Sequence, residues 1–188
     1  MDAVISSVLY VLTFLSLYVQ VFFFVTFLEN RKKIIRRVGV TELSRYPSVT
    51  IIVPCYNEEI AMEPTIQSLL ELNYPKDKMN IIIVDDGSTD NSWNVIKQYE
   101  GHPQIKIYHK ENGGKHTAMN LGLEMTTTEL VGGLDSDSFV DPHALERIVT
   151  YFINDPKTMA VAPSIIVHQP SGILQKAQKA EYDLAIYN

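Results

Sequence analysis

Four times between residues 48 and 141 an apolar run stops on a cluster of acidic, amide and glycine residues. The stretches are SVTIIVPCYNEE, MNIIIVDDGSTD, QIKIYHKENGGKH and ELVGGLDSDSFVD. The first two runs are nearly continuous Val and Ile, as strands covered on both faces should be. Pro54 is expected to stop the first of them. Between the runs, apolar residues recur at helical spacing. IAMEPTIQSLLEL predicts a helix over about 58–72, with Pro64 in an early turn. NSWNVIKQYE predicts a second, with Ser88, Thr89 or Asp90 to cap it. KHTAMNLGLEM predicts a third, and PHALERIVTYFIN a fourth, with Pro142 at its first position and Asp141 as its cap. TMAVAPSIIVH predicts further strand, and SGILQKAQKAEYDLAIYN a helix to the end of the sequence. Strands alternating with helices imply an α/β fold around a mostly parallel sheet. Ligands of such sheets sit at the carboxyl ends of the strands. All four polar clusters are therefore expected on one edge.

The N-terminal part obeys different rules. Residues 3–28 carry no charge and are rich in Val, Leu, Phe and Tyr. That is long enough to cross about 30 Å of hydrocarbon as a helix. The next segment, ENRKKIIRR, holds Arg31, Lys32, Lys33, Arg36 and Arg37. A basic cluster directly after a span stays on the cytoplasmic side. The expected organisation is a transmembrane helix over 1–28, a basic cytosolic connector over 29–47 and an α/β domain over 48–188. A cleaved signal peptide fits less well, because no basic segment precedes the run and no small-residue cleavage site follows it. The net charge of −6 argues against a nucleic-acid partner. Cys55 is the only cysteine, so no intramolecular disulfide can form.

Each polar cluster has an ordinary structural reading beside a chemical one. In DSDSFVD, Asp135 and Asp137 at a turn could divide the work, one reaching a divalent metal and the other a sugar hydroxyl. Carboxylates combined with water and phosphate oxygens suit Mg²⁺ or Mn²⁺. A calcium loop is excluded, since Phe139 and Val140 stand where that loop needs a ligand and a glycine. The ordinary reading is that these aspartates cap the next helix. In IIIVDDGSTD, Asp85 and Asp86 end a buried run and could accept hydrogen bonds from a base or a ribose. They could equally belong to a solvated turn. ENGGKHTAMN fails the P-loop pattern twice, with His109 in place of the first glycine and His116 after the lysine. Lys115 could still meet a diphosphate at a helix N-terminus. No G-x-G-x-x-G follows the first run, which argues against an ordinary dinucleotide fold.

Taken in order, VPCYNEE, IIIVDDGSTDNS, NGGKHTAMNLGL and LDSDSFVDPHAL are similar to the motifs of the family 2 glycosyltransferases, and the likeness covers about 49–167. The anchor before them resembles the membrane-embedded synthase branch. The resemblance implies a GT-A fold, three layers around a mostly parallel sheet. It implies a nucleotide pocket lined by Pro54, Tyr56, Asn57 and Glu58, with Asp85 and Asp86 on the uracil and ribose side. It places Lys115 near the base and diphosphate, Asp135 on the nucleotide sugar, and Asp137 on a divalent metal, Mg²⁺ or Mn²⁺. The implied partners are a nucleotide-diphospho-sugar, most naturally a UDP-sugar, a glycan or lipid-linked acceptor, and the membrane.

The chemistry would be attack of an acceptor hydroxyl on the anomeric carbon, with inversion, helped by a general base. In the family that base lies in a T-E-D or E-D segment, and the synthase branch adds Q-x-x-R-W. Neither motif occurs here, so the base is expected beyond Asn188, and this stretch alone is expected to bind donor but to transfer sugar poorly or not at all. Two other functions compete with the leading one. One is a non-catalytic nucleotide-sugar-binding module, and the other a membrane-tethered nucleotidyltransferase or phosphohydrolase using the same carboxylates.

Overall fold

A computed structural model describes residues 2–34, 43–163, 165, 172 and 174–178. The chain divides into two compact units, Gly39–Val161 and a second made of Met1–Val38 with Ala162–Asn188.

In the second unit, helix α1 spans Asp2–Ile34. Its segment Val4–Thr26 is long and apolar enough to cross a membrane. At 1.5 Å per residue those residues reach about 35 Å, a little more than a hydrocarbon core. None of that window is buried. Phe14, Phe22 and Tyr18 all stand exposed. Such a surface is costly in water and ordinary in lipid. The helix does not stop where the apolar run stops but continues through Arg31–Lys33.

The first unit is built on four parallel strands: β1 (Val49–Cys55), β2 (Met79–Asp85), β3 (Ile105–His109) and β4 (Leu130–Gly133). Their spatial order is β3-β2-β1-β4. The chain therefore builds outward from β1 through β2 to β3, then returns to add β4 on the other side of β1. The carboxyl ends of β1 and β4 flank the point where the order reverses, the preferred ligand crevice of such sheets. Every residue of β1 is buried, and β2 is nearly so, whereas the edge strands β3 and β4 are half exposed. The burial follows the sequence: the two central strands are the two continuous Val/Ile runs.

Helices α2 (Met62–Leu70), α3 (Ser92–Lys97) and α5 (Ala144–Asn154) cover one face. There Ile66, Leu69, Ile96, Leu145 and Val149 pack on Ile51, Val53, Ile81 and Ile83. Helix α4 (Lys115–Glu124) covers the other face, where Ala118 packs on Ile82 and Val84. The three layers are thus helices, sheet and helix, as expected of the GT-A fold.

Several local expectations need correction. Pro54 does not end β1, which runs on to Cys55. Leu134 donates its N–H to the carbonyl of Ile52, so even-numbered residues of β1 face the β4 side. The β4 ladder ends at Ile52↔Gly133, so at Pro54 no strand is left to need the missing N–H. Pro142 is not the first residue of α5, which starts two residues later at Ala144. Asp141 instead makes the turn into the helix. Its carboxylate accepts the N–H of His143 at 2.9 Å, and its carbonyl accepts that of Ala144 at 2.8 Å. Of the further strand expected within 158–168, residues 158–163 are irregular, while 164 and 166–168 lie outside the described residues. Of the last predicted helix, 174–178 are helical and 179–188 lie outside the described residues.

Candidate functional site

At the carboxyl edge of the sheet lies an open cleft of about 390 Å³. All four polar clusters contribute to it. Pro54, Cys55, Tyr56 and Glu58 come from the end of β1 and the turn beyond it. Asp86 follows β2, Asn112, Gly114 and Lys115 follow β3, and Asp135, Ser136 and Asp137 follow β4.

Asp86 sits at the floor, almost fully buried. Burial pushes its carboxyl upward, but the Lys110 ammonium at 2.6 Å and the N–H groups of Gly113 and Gly114, at 3.1 and 2.8 Å, more than offset this. The group is held below the ordinary carboxylate value and is ionised at neutral pH. These bonds fasten the loop before α4 to the end of β2. Gly114 has a φ of 92°, a conformation open to glycine and strained for other residues. The fastened loop brings Lys115, the first residue of α4, to the rim, where its ammonium meets Asp135 at 2.5 Å.

The DSD segment forms a tight turn, with the N–H of Ser138 on the carbonyl of Asp135 at 3.1 Å. Between the two exposed aspartates Ser136 is buried, and its carbonyl accepts the hydroxyl of Thr65 on α2 at 2.8 Å. The turn is thereby pinned from behind while both Asp135 and Asp137 line the cleft. Among the described residues no group of three or more His, Cys, Asp or Glu is assembled for a metal. An exposed carboxylate such as Asp137, whose side chain meets the Ser138 hydroxyl at 3.5 Å, nonetheless fits Mg²⁺ or Mn²⁺, which keep waters and take substrate phosphates as ligands.

Two sequence-expected residues, Asp85 and Asn57, do not line the cleft. Asp85 is fully buried and accepts from Ser88 and from His109 Nδ1, the latter at 2.6 Å. Asn57 has a φ of 55°, and its side-chain carbonyl accepts the N–H of Thr89 at 2.8 Å. Lys110, Asn112 and Ser136 were not singled out from the sequence. Lys110 directly follows an alternating run that ends in Tyr108 and His109, and that position one step past a strand is the only signal it carries. Cys55 lines the cleft but is no nucleophile. Burial, and then the nearby Asp85 charge, push its thiol up to about 12.

A cleft at the switch point of a parallel sheet, floored by one fixed carboxylate and rimmed by a lysine and two more carboxylates, belongs to the GT-A class. Residues 50–186 match the family model for glycosyl transferase family 2, and the chain belongs to that family. It is 36% identical over 146 residues to the poly-beta-1,6-N-acetyl-D-glucosamine synthase of Staphylococcus aureus, covering 77% of this chain and 34% of the relative. The Staphylococcus epidermidis enzyme of the same name is 33% identical over 143 residues, covering 76% and 34%. The chain therefore spans about a third of the length of these relatives. Among solved structures, it resembles the mannosyltransferase PcManGT from Pyrobaculum calidifontis in complex with GDP-Man and Mn²⁺. The TM-score is 0.56 at 25% identity, over 82% of this chain and 46% of that one. S. aureus TarS 1-349 in complex with UDP-GlcNAc shares the fold, with a TM-score of 0.54 at 23% identity over 64% of this chain and 38% of that one.

Proposed function

We propose that the cleft binds a nucleotide-diphospho-sugar, a UDP-sugar in the first instance, for transfer with inversion to a polysaccharide or lipid-linked acceptor. The observation that carries this is the convergence of all four strand-end clusters on one cleft. In this reading Tyr56 and Glu58 flank the nucleotide, and Asp86 fixes the loop that carries Lys115. Asp135 faces the ribose and sugar. Asp137 would hold Mg²⁺ or Mn²⁺, whose charge would help to neutralise a diphosphate leaving group.

As the acceptor hydroxyl attacks the anomeric carbon and gives its proton to a general base, the bond from that carbon to the diphosphate oxygen breaks. Negative charge then gathers on the departing diphosphate. In this reading Lys115, at the amino end of α4, stabilises it. Donor binding must first open the Lys115–Asp135 pair. Both partners are more than half exposed, so the pair is worth well under about 1 kcal/mol and is readily exchanged. Helix α1 would anchor the domain on the cytosolic face of a membrane. The relatives named above support a polysaccharide product and an N-acetylglucosamine donor.

A second reading, a nucleotide-sugar-binding module without transfer, is favoured by one observation. Two of the cleft carboxylates are already engaged, Asp86 with Lys110 and Asp135 with Lys115. Turnover of radiolabelled UDP-N-acetylglucosamine by the full-length gene product in lipid nanodiscs separates the readings. Sugar transfer, or slow release of free sugar, supports the enzyme; tight binding with no turnover supports the module.

A further inference from the structure

Two hydroxyl relays run beside the cleft, and both end on the backbone that carries Tyr56 and Glu58. In the first, Asn57 donates its N–H to Ser88 Oγ at 3.0 Å, and Ser88 in turn donates to Asp85. Asp85 is further held by the N–H of Ser88 at 3.2 Å and by His109 Nδ1. In the second, Glu58 donates its N–H to Ser92 Oγ at 2.7 Å, and Ser92 donates to Asp90 at 2.5 Å. Asp90 also takes the N–H of Glu59 at 3.3 Å. Asp85 and Ser92 have no exposed surface, so neither carboxylate nor hydroxyl is available to a ligand in the cleft. The segment they grip needs gripping. Tyr56, Asn57 and Glu59 are exposed, and Asn57 sits in the left-handed region, which costs a non-glycine residue free energy. Besides the relays, the segment is held by the side-chain carbonyl of Asn57, which accepts the N–H of Thr89 at 2.8 Å, and by the Glu59 carboxylate, which accepts that of Asn91 at 3.0 Å; only the relays grip the backbone N–H groups of Asn57 and Glu58.

We propose that Asp85 with Ser88, and Asp90 with Ser92, are positioning residues of the donor site: they fix Tyr56 and Glu58 through the backbone. Asp85 then touches no part of the donor, in contrast to the role that the sequence resemblance implies for it. The proposal rests on the donor-site reading above. It divides the adjacent aspartates by task. Asp86 fixes the loop after β3, and Asp85 fixes the loop after β1, so that the end of β2 aligns both walls of the cleft.

The test uses the full chain in nanodiscs, with UDP and Mn²⁺ as probes, and the variants Ser88→Ala, Ser92→Ala and Ser88→Thr. Loss of one such bond should weaken UDP binding about tenfold in each alanine variant. Ser88→Thr keeps the hydroxyl at a half-buried position and should restore wild-type affinity. Hydrogen exchange should accelerate across 56–59 in the alanine variants while 79–85 stay as protected as in wild type. That pattern separates a loosened loop from a loosened fold. If the alanine variants bind UDP within about twofold of wild type, the positioning role is wrong. Equal weakness of Ser88→Thr and Ser88→Ala would likewise overturn it. A wild-type chain that binds no UDP would remove the donor-site reading, and the positioning role with it.

Discussion

Replacing Gly122 by alanine tests the packing on which the cleft's inner wall depends. Gly122 lies on α4, two residues from its end and against Ile52 of β1. A Cβ built there would lie 2.4 Å from Cγ2 of Ile52 and 3.2 Å from its Cδ1 and Cγ1. Ile52 is buried in the central strand, with β2 on one side and β4 on the other, so it has little room to withdraw. Two effects oppose each other. Alanine improves helix propensity by about 0.8–1 kcal/mol. Overpacking a filled core costs about 1–3 kcal/mol, and a clash with a side chain on a pinned strand belongs near the top of that range. The net expectation is a loss of about 1–2 kcal/mol. The assay is denaturant unfolding of the chain in mild detergent, followed by fluorescence of Trp93, the only tryptophan. The control is the same substitution with Ile52→Ala already present. There the clash is gone and Gly122→Ala should become neutral or stabilising, which gives a coupling energy of a size that touching residues show. If Gly122→Ala is neutral or stabilising with Ile52 intact, α4 does not sit on β1 as described.

Other expectations concern charge. Asp86→Asn should destabilise the chain by about 2–3 kcal/mol, since it removes a charged acceptor from several donors. The figure stays below that for a fully buried pair because the Lys110 side chain is a quarter exposed and can turn to water. The folded-state value of Asp86 is depressed, so its contribution is complete above the unfolded carboxylate value and fades as pH falls through the folded one. Wild type should therefore lose its advantage over Asp86→Asn only below about pH 4, as unfolding midpoints measured across a pH series would show. Asp135→Asn should free Lys115 for anions, and pyrophosphate binding without metal should rise by at most about fivefold, the limit for an exposed pair. Calorimetry with pyrophosphate in EDTA measures it, and no gain would mean that the pair does not shield the site.

Much of this architecture was legible in the residues. The continuous runs VTIIV and IIIVD mark the central strands because burial on both faces leaves no place for polar alternation. The shared position of the polar clusters followed from strand polarity alone. Element boundaries were less legible. Pro54 reads as a stop only when the length of the neighbouring strand is unknown, because β4 ends before a hydrogen bond from position 54 would be wanted. Pro142 reads as a first helical residue until Asp141 is seen to build the turn ahead of α5. Within the candidate site, adjacent residues were hardest to tell apart. Asp85 and Asp86 are identical in type, and only the alternation of the strand, with the pairing of β3 alongside, decides which one turns to the cleft. Lys110 and Ser92 were missed for the same reason. Their importance comes from contacts across 24 and 34 residues of sequence, which no local pattern records.

The central claim is that these strand ends form a metal-assisted nucleotide-sugar site. Titration of the full chain in nanodiscs with UDP, with and without Mn²⁺, alongside Asp137→Asn, tests it most directly. UDP should bind wild type, Mn²⁺ should strengthen that binding at least tenfold, and Asp137→Asn should abolish the gain while leaving the metal-free affinity within about twofold. A folded wild-type chain that binds no UDP, or an Asp137→Asn variant with the full Mn²⁺ gain, would contradict the account.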